Sequence, residues 1–292
     1  MKLEKTFKAF IKTGNESEAA KQDIVVLDKL EPGAYKFSYN PMEKSRTFIK
    51  FEPRSDSIID LPSPEYTRVV SEMQSFLNPN IRQKFKDLGF LYKRSALLEG
   101  LPGTGKSVIV NRVMQNVVSN NGVCLFIEDP RFISLAYEVL NDTNPDTVVL
   151  TVLEEIDGMI DAFGDHVLLS ILDGEIQRNN VMYLATTNYI DKVPKRILRP
   201  GRFNSVITVA YPNEEARHVY FEQKLGKIKN LSTLVEKTKN LSVDELKEIV
   251  QSCYIFDYNL DETIKRIKKV RGCEEPRSFG DSKQLTEEDF YD

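Results

Sequence analysis

Residues 100–107 read GLPGTGKS, and this octapeptide constrains the 292-residue chain more than any other feature. It satisfies G-x-x-x-x-G-K-[ST] at every fixed position. The stretch before it, SALLEG (95–100), is as apolar as a buried strand, and the stretch after it, SVIVNRVMQNVVS (107–119), has a helical spacing of apolar residues. A strand, a glycine turn and a helix N-terminus in that order make a cradle for phosphate. The glycines let backbone N–H groups turn inward, and the helix start adds partial positive charge. In such a cradle Lys106 places an ammonium between two phosphates, and the Ser107 hydroxyl is a ligand for Mg²⁺.

The surrounding sequence predicts an α/β fold. Strand-like runs at 123–128 (VCLFIE), 147–155 (TVVLTVLEE) and 181–188 (VMYLATTN) alternate with helix-like stretches at 132–140 and from His166 onward. Continuous Val, Leu and Ile runs between amphipathic helices indicate a parallel sheet covered on both faces. A helix is expected from Ser63 to about Leu77, stopped by Asn78 and Pro79. Before it, Leu3, Phe7, Phe10 and Ile11 fall on one helical stripe, and short strands follow at 23–27, 33–39 and 46–52. The expected organisation is therefore a small β-rich module over 1–55, an α/β nucleotide-binding domain over 56–212, a helical lid over 213–270 and an acidic, polar tail over 271–292.

Composition narrows the function classes. With 41% hydrophobic and 29% charged residues the chain has an ordinary globular make-up, which excludes collagen-like and wholly disordered readings. The net charge of −4 argues against a nucleic-acid binder that uses its whole surface; the run Lys265–Lys269 is basic but local. Three scattered cysteines fit a reducing cytosol, and two histidines without a CxxC or HxxxH partner give no metal cluster. The longest apolar runs are too short to span a bilayer, and the first residues lack the apolar core of a signal peptide. A soluble, cytoplasmic protein is the expectation.

Two more segments carry chemistry. Glu154 and Glu155 end a strongly apolar strand, where parallel sheets bind ligands, so that one carboxylate can hold Mg²⁺ through water and the next can orient an attacking water. Asn188 ends the following strand, and Arg196, Arg199 and Arg202 follow it in KRILRPGRF. Pro200 and Gly201 set two of these arginines on a tight turn, a projection suited to reaching another molecule's phosphate.

Taken together, GLPGTGKS, VLEEID, LLSILDG, YLATTN and ILRPGRF, in that order and spacing, resemble the AAA branch of the AAA+ ATPases over about residues 57–250. The resemblance implies ATP and Mg²⁺ as cofactors, with Gly100, Leu101, Pro102, Gly103, Thr104, Gly105, Lys106, Ser107 and Val108 around the nucleotide and Ser107 and Glu154 at the metal. It implies Glu155 as catalytic base and Asn188 as the sensor that positions water. Arg199 and Arg202 match paired arginine fingers acting on a neighbouring subunit's ATP, which implies a homo-oligomeric ring, six being the family default. A ring that remodels a protein substrate or an assembly, engaged through the N-terminal module, is the leading reading; the alternative is a nucleic-acid-associated motor or loader.

Three departures refine the resemblance. Glu154 stands where Asp is usual; with GFLYKRSALLEG before the cradle, it is similar to the subgroup containing the mitochondrial translocase of the Rieske iron–sulfur protein, whose membrane anchor is not expected here. Asp244 falls where other AAA+ clades place a second sensor arginine. The segment between 124 and 144 lacks an aromatic–apolar–Gly triplet for gripping polypeptide; Arg131-Phe132-Ile133 and Phe163-Gly164 are candidates for a pore lining, against the favoured reading of these aromatics as core residues.

Overall fold

A computed structural model describes residues 9–12, 24–26, 29–52, 58–173 and 178–274 of the chain. Its strands are β1 (Ala9–Lys12), β2 (Ile24–Val26), β3 (Gly33–Asn40), β4 (Ser45–Phe51), β5 (Lys93–Glu99), β6 (Val123–Phe126), β7 (Val149–Leu153), β8 (Val181–Thr187) and β9 (Ser205–Thr208). They form one sheet in the order β2-β1-β4-β3-β6-β7-β8-β5-β9. From β3 to β9 every neighbouring pair in that order is parallel, so the carboxyl ends of β6, β7, β8, β5 and β9 lie along one edge. In open α/β sheets ligands bind outside that edge.

The central strands form because both of their faces are apolar. In β5, Ala96 and Leu98 enter one core and Leu97 the other; in β7, Leu150 and Val152 oppose Val149 and Leu153; in β8, Met182 and Leu184 oppose Val181, Tyr183 and Ala185. Alternation of this kind, with both sets buried, is the pattern of a parallel strand covered on both faces. The first core is closed by Val69, Met73 and Phe76 of α1 (Pro64–Phe76) and by Ile109, Val110, Val113 and Val117 of α3 (Lys106–Ser119). The second is closed by α4 (Ile133–Thr143), α5 (Ile156–Phe163) and α6 (Asp165–Leu172), through Ile133, Leu140, Met159 and Leu168. The α/β fold with helices on both faces is thus observed as expected.

Two local readings are corrected. Asn78 and Pro79, read as a helix stop, also start a helix: α2 (Pro79–Asp87) has Asn78 as its N-cap, the side chain accepting from the Asn80 N–H at 2.9 Å. A Pro at the first helical position is pre-set for this role. Phe10 and Ile11, placed on a helical stripe, lie in β1, which pairs with β2 and with residues 46–49 of β4; Leu3 and Phe7 lie outside the described residues, as do residues 275–292 of the expected tail.

The strands expected as a module extend the same sheet. β3 pairs with β6, and its Tyr35, together with Phe48 of β4, is fully buried in the α4 core. The Asn144 side chain ties the segment before β3 to the end of α4, accepting from the Leu30 N–H and donating to the Leu30 carbonyl, both at 2.9 Å.

Past the sheet, α7 (Glu214–Leu225), α8 (Leu231–Lys237), α9 (Val243–Tyr254) and α10 (Leu260–Glu274) surround a third core that includes Phe221, Leu234, Leu241, Leu246 and Ile249. Ile59, from the segment ahead of α1, is buried in that core as well, so a strap from before the α/β domain is fastened to the helical lid. Among the described residues no helix is long and apolar enough to cross a membrane.

Candidate functional site: a nucleotide cavity between sheet edge and lid

The loop from β5 to α3 takes its shape from glycine backbone. Gly103 and Gly105 have φ of 74° and 102°, a region that L side chains disfavour. At Gly100 a Cβ would stand 2.4 Å from the Val209 carbonyl oxygen, so a side chain is excluded by the packing of β5 against the segment after β9. Thr104 closes the loop by donating to the Leu101 carbonyl at 2.9 Å. α3 then begins at Lys106 with no side-chain cap, which leaves its first N–H groups for a ligand.

Lys106 is buried and its Nζ donates to the Gly100 and Leu101 carbonyls at 2.6 and 2.9 Å. Burial pushes its ammonium below the usual lysine pKa, while Glu99, Asp157, Asp244 and Glu155 pull it back up. Phosphate oxygens can replace both carbonyl partners, so the amine is held at the loop until a better acceptor arrives. Beside it a cavity of about 860 Å³ opens, lined by Thr104, Gly105, Ser107 and Val108 of the loop and helix, by the strap at 58–66, by residues 209–213, and by lid residues including Tyr220 and Asp244. Its wall is apolar at the strap end and polar at the loop, as a base and a phosphate chain require.

At the end of β7, Glu155 has a φ of 52° and stands at the N-cap of α5, its N–H donating to the Thr186 hydroxyl at 3.1 Å. A non-glycine residue in this region is strained by about 1 kcal/mol or more and occurs where the fold over-determines it. Burial is the main cause of a raised Glu154 pKa, the Glu155 charge adds to it, and Lys36 opposes it. Glu154 keeps an opening to solvent through a second cavity of about 360 Å³, shared with Glu155, Lys36 and Glu128.

The carboxylate that is buried near Lys106 is Asp157, in the first turn of α5, which accepts from the Thr187 hydroxyl at 2.6 Å. Neither Asp157 nor Thr187 was among the expected site residues; VLEEID shows an acid three residues past Glu154, but nothing local shows that it turns inward. The strap residues Ile58, Ile59 and Leu61 are a second addition, since only the folded lid brings them to the cavity.

Asn188 follows β8, which lies between β7 and β5, so its half-buried side chain is placed at the edge between the acidic strand and the glycine loop. The turn at Pro200 and Gly201 exists, closed by the Arg202 N–H on the Arg199 carbonyl at 3.1 Å. Its arginines differ. Arg196 is forked onto Asp165; Arg202 pairs with Asp173 at 3.3 Å and donates to the Arg196 carbonyl. Arg199 is exposed and, among the described residues, makes no ion pair with Asp or Glu. None of the three lines the large cavity. The two aromatic candidates for a pore lining meet: Arg131 lies over the Phe163 ring at 4.8 Å and over Phe132 at 5.6 Å, and Phe132 packs on Tyr39.

A parallel sheet whose glycine loop feeds a helix N-terminus, with carboxylates on the strand two places over and a helical lid above, defines the P-loop class of nucleotide-binding fold. Residues 96–211 match the ATPase family associated with various cellular activities (AAA). Among its relatives, the proteasome-activating nucleotidase of Aeropyrum pernix is 28% identical over 70% of this chain and 56% of that protein. The vesicle-fusing ATPase of Dictyostelium discoideum is 27% identical over 63% and 30%. Protein CdcH of Halobacterium salinarum is 27% identical over 62% and 28%. The chain thus spans between about a quarter and somewhat over half of the length of these three relatives.

Proposed function

We propose that the chain hydrolyses ATP in the cavity between the glycine loop and the lid, and that, assembled as a homo-oligomeric ring, it uses the cycle to remodel a protein or an assembly. The observation that carries the reading is the loop itself: Lys106 is held on displaceable carbonyls, and its chain neighbours Gly105 and Ser107 line a cavity with an apolar end for a base. The match of residues 96–211 to AAA ATPases and the relatives named above support it.

The N–H groups of residues 103–107 and the Lys106 ammonium bind the phosphate chain. Among the described residues no group of three or more metal-ligating side chains exists. Mg²⁺ keeps waters and takes phosphate oxygens for most of its shell; Ser107, with Glu154 through water, would be the protein's share. When bound, Mg²⁺ neutralises charge between the phosphates. Glu155 accepts the proton of the attacking water, Asn188 holds that water in line, and Asp157 with Thr187 fixes the start of α5 so that both are aimed.

Arg199 is the finger that reaches a neighbouring protomer's phosphate, and Arg202, tied to Asp173, holds the turn that presents it. The protein substrate is engaged through the sheet extension formed by β1–β4 and the Arg131–Phe132–Phe163 cluster. The narrower likeness to the Rieske-protein translocase subgroup rests on Glu154 and the residues before the glycine loop.

Electron microscopy of the Glu155→Gln protein with ATP tests the reading. Closed rings with nucleotide in each cavity are expected; single particles in saturating ATP, together with full turnover by the native chain at the same dilution, would overturn it.

A further inference from the structure

The lid places an unexpected charge at the phosphate cradle. Asp244, in the first turn of α9, donates its N–H to the Gly103 carbonyl at 3.3 Å. Its Oδ2 lies 3.1 Å from the point where a Cβ on Gly103 would stand, and the Ser242 hydroxyl lies 2.9 Å from the same point. The carboxylate therefore hangs over the middle of GLPGTGKS, on the wall of the same cavity as Thr104, Gly105 and Ser107. Its field reaches Lys106, whose ammonium it favours. No ion pair to Asp244 is formed among the described residues; the cation that its charge is shown to reach is the Lys106 ammonium. Lys224 and Lys247 line the same cavity and supply the opposite sign at its lid wall.

Two roles compete for this residue. An acid in the first turn of a helix is favourable to the helix dipole wherever it stands, and α9 has a full capping box from Ser242 and Glu245 beside it. That role needs no particular direction for the side chain. Contact with the glycine loop does, because an anion at that loop meets incoming phosphates while the empty cradle, with its buried ammonium, attracts it.

We propose that Asp244 sets the nucleotide selectivity of the site by opposing phosphate charge from the lid, so that each phosphate entering the cradle loosens the lid from Gly103 while the base and ribose are accepted without penalty. The inference rests on the nucleotide reading of the cavity. By linkage the coupling is reciprocal: what the phosphates do to the lid contact, the lid contact does to phosphate affinity. Repulsion between charges near a solvent-open surface is modest and screened by salt.

The test is a titration of adenosine, ADP and ATP onto the full chain and onto Asp244→Asn, in EDTA so that ligand charge rises with each phosphate. Asp244→Asn is expected to bind ATP about fivefold more tightly, ADP by a smaller factor and adenosine with unchanged Kd, and the gain is expected to shrink in high salt. Ser242→Ala, which loosens α9 without touching the charge, is expected to move the ratio of ATP to adenosine affinity less than Asp244→Asn does, and without its salt dependence. Equal shifts for all three ligands in Asp244→Asn, or weaker ATP binding, would overturn the proposal. If the native chain binds no ATP at all, the nucleotide reading itself fails; if it binds ATP and the ratios do not move, only the role of Asp244 fails.

Discussion

Two strand ends on the same sheet edge are built in opposite ways. After β5 the chain turns through Gly100, Gly103 and Gly105, each at a positive φ that glycine adopts freely, and Lys106 and Thr104 are satisfied by the loop's own carbonyls. After β7 the chain turns at Glu155, a side-chain-bearing residue with a φ of 52°, next to Glu154, whose charged form is disfavoured by its surroundings. The first end carries no side-chain strain in its backbone; it leaves the first N–H groups of α3 open and buries one ammonium, held by the loop's own carbonyls. The second stores strain and unfavourable charge. A site that must hold a polyphosphate can rely on backbone, whereas one that must activate a water needs acids placed where they are not at rest.

That contrast can be broken most sharply by exchanging what each end loses. Lys106→Ala is expected to abolish nucleotide binding in a titration, because the buried ammonium has no substitute. Glu155→Gln is expected to bind nucleotide as the native chain does and to hydrolyse it about 10²-fold or more slowly in a phosphate-release assay. Normal hydrolysis in the Gln variant would move the catalytic acid elsewhere along VLEEID, with Asp157 the first candidate.

Next in size is the packing behind the glycine loop. Gly100→Ala forces a methyl group against the Val209 carbonyl oxygen and is expected to lower unfolding stability by about 2 kcal/mol, read from urea midpoints at constant slope. A neutral result would mean that the loop is less tightly fixed than the glycine end should be.

The strained end predicts the opposite sign. Glu155→Gly removes a left-handed side chain at a gain of about 1–2 kcal/mol, offset by about 0.5–1 kcal/mol of added chain entropy. A small net stabilisation of about 0.5 kcal/mol, together with loss of hydrolysis, is expected from the same urea measurement.

The smallest effect is electrostatic. The Glu154 pKa is raised in the folded state, so ionising it opposes folding above that raised value, and the penalty vanishes once pH falls below the ordinary glutamate range. Glu154→Gln is therefore expected to raise the Tm slightly at neutral pH and to lose that advantage in acid. A constant difference across pH would mean that the surroundings of Glu154 do not penalise its charge.

The glycine end was legible in the sequence and much of the other was not, for a physical reason. GLPGTGKS, the buried runs of β7 and β8, and the Ser63 cap of α1 all act over a few residues, so pattern and structure coincide. Glu154, Glu155 and Asn188 could be placed because each immediately follows such a run. What escaped depends on partners far along the chain. Asp157 becomes a site residue through Thr187, the strap at Ile59 through the lid core, and β1 through β4. β9 is a short strand whose pairing partner in the sheet is β5, and the sequence offers little to announce it. The divergence of Arg199 from Arg202 was equally hidden, since it turns on Asp173, distant along the chain from the turn but in contact with Arg202.

In the proposed ring, nucleotide sits on one protomer's glycine loop and is completed by an arginine from the next. Subunits carrying Arg199→Ala and subunits carrying Glu155→Gln, each inactive alone, can be mixed after assembly has been verified and their phosphate release measured. Recovery of part of the native rate is predicted, because some interfaces then pair an intact Glu155 with an intact Arg199. A mixture as inactive as its components, or an Arg199→Ala protein with full activity alone, would contradict the claim.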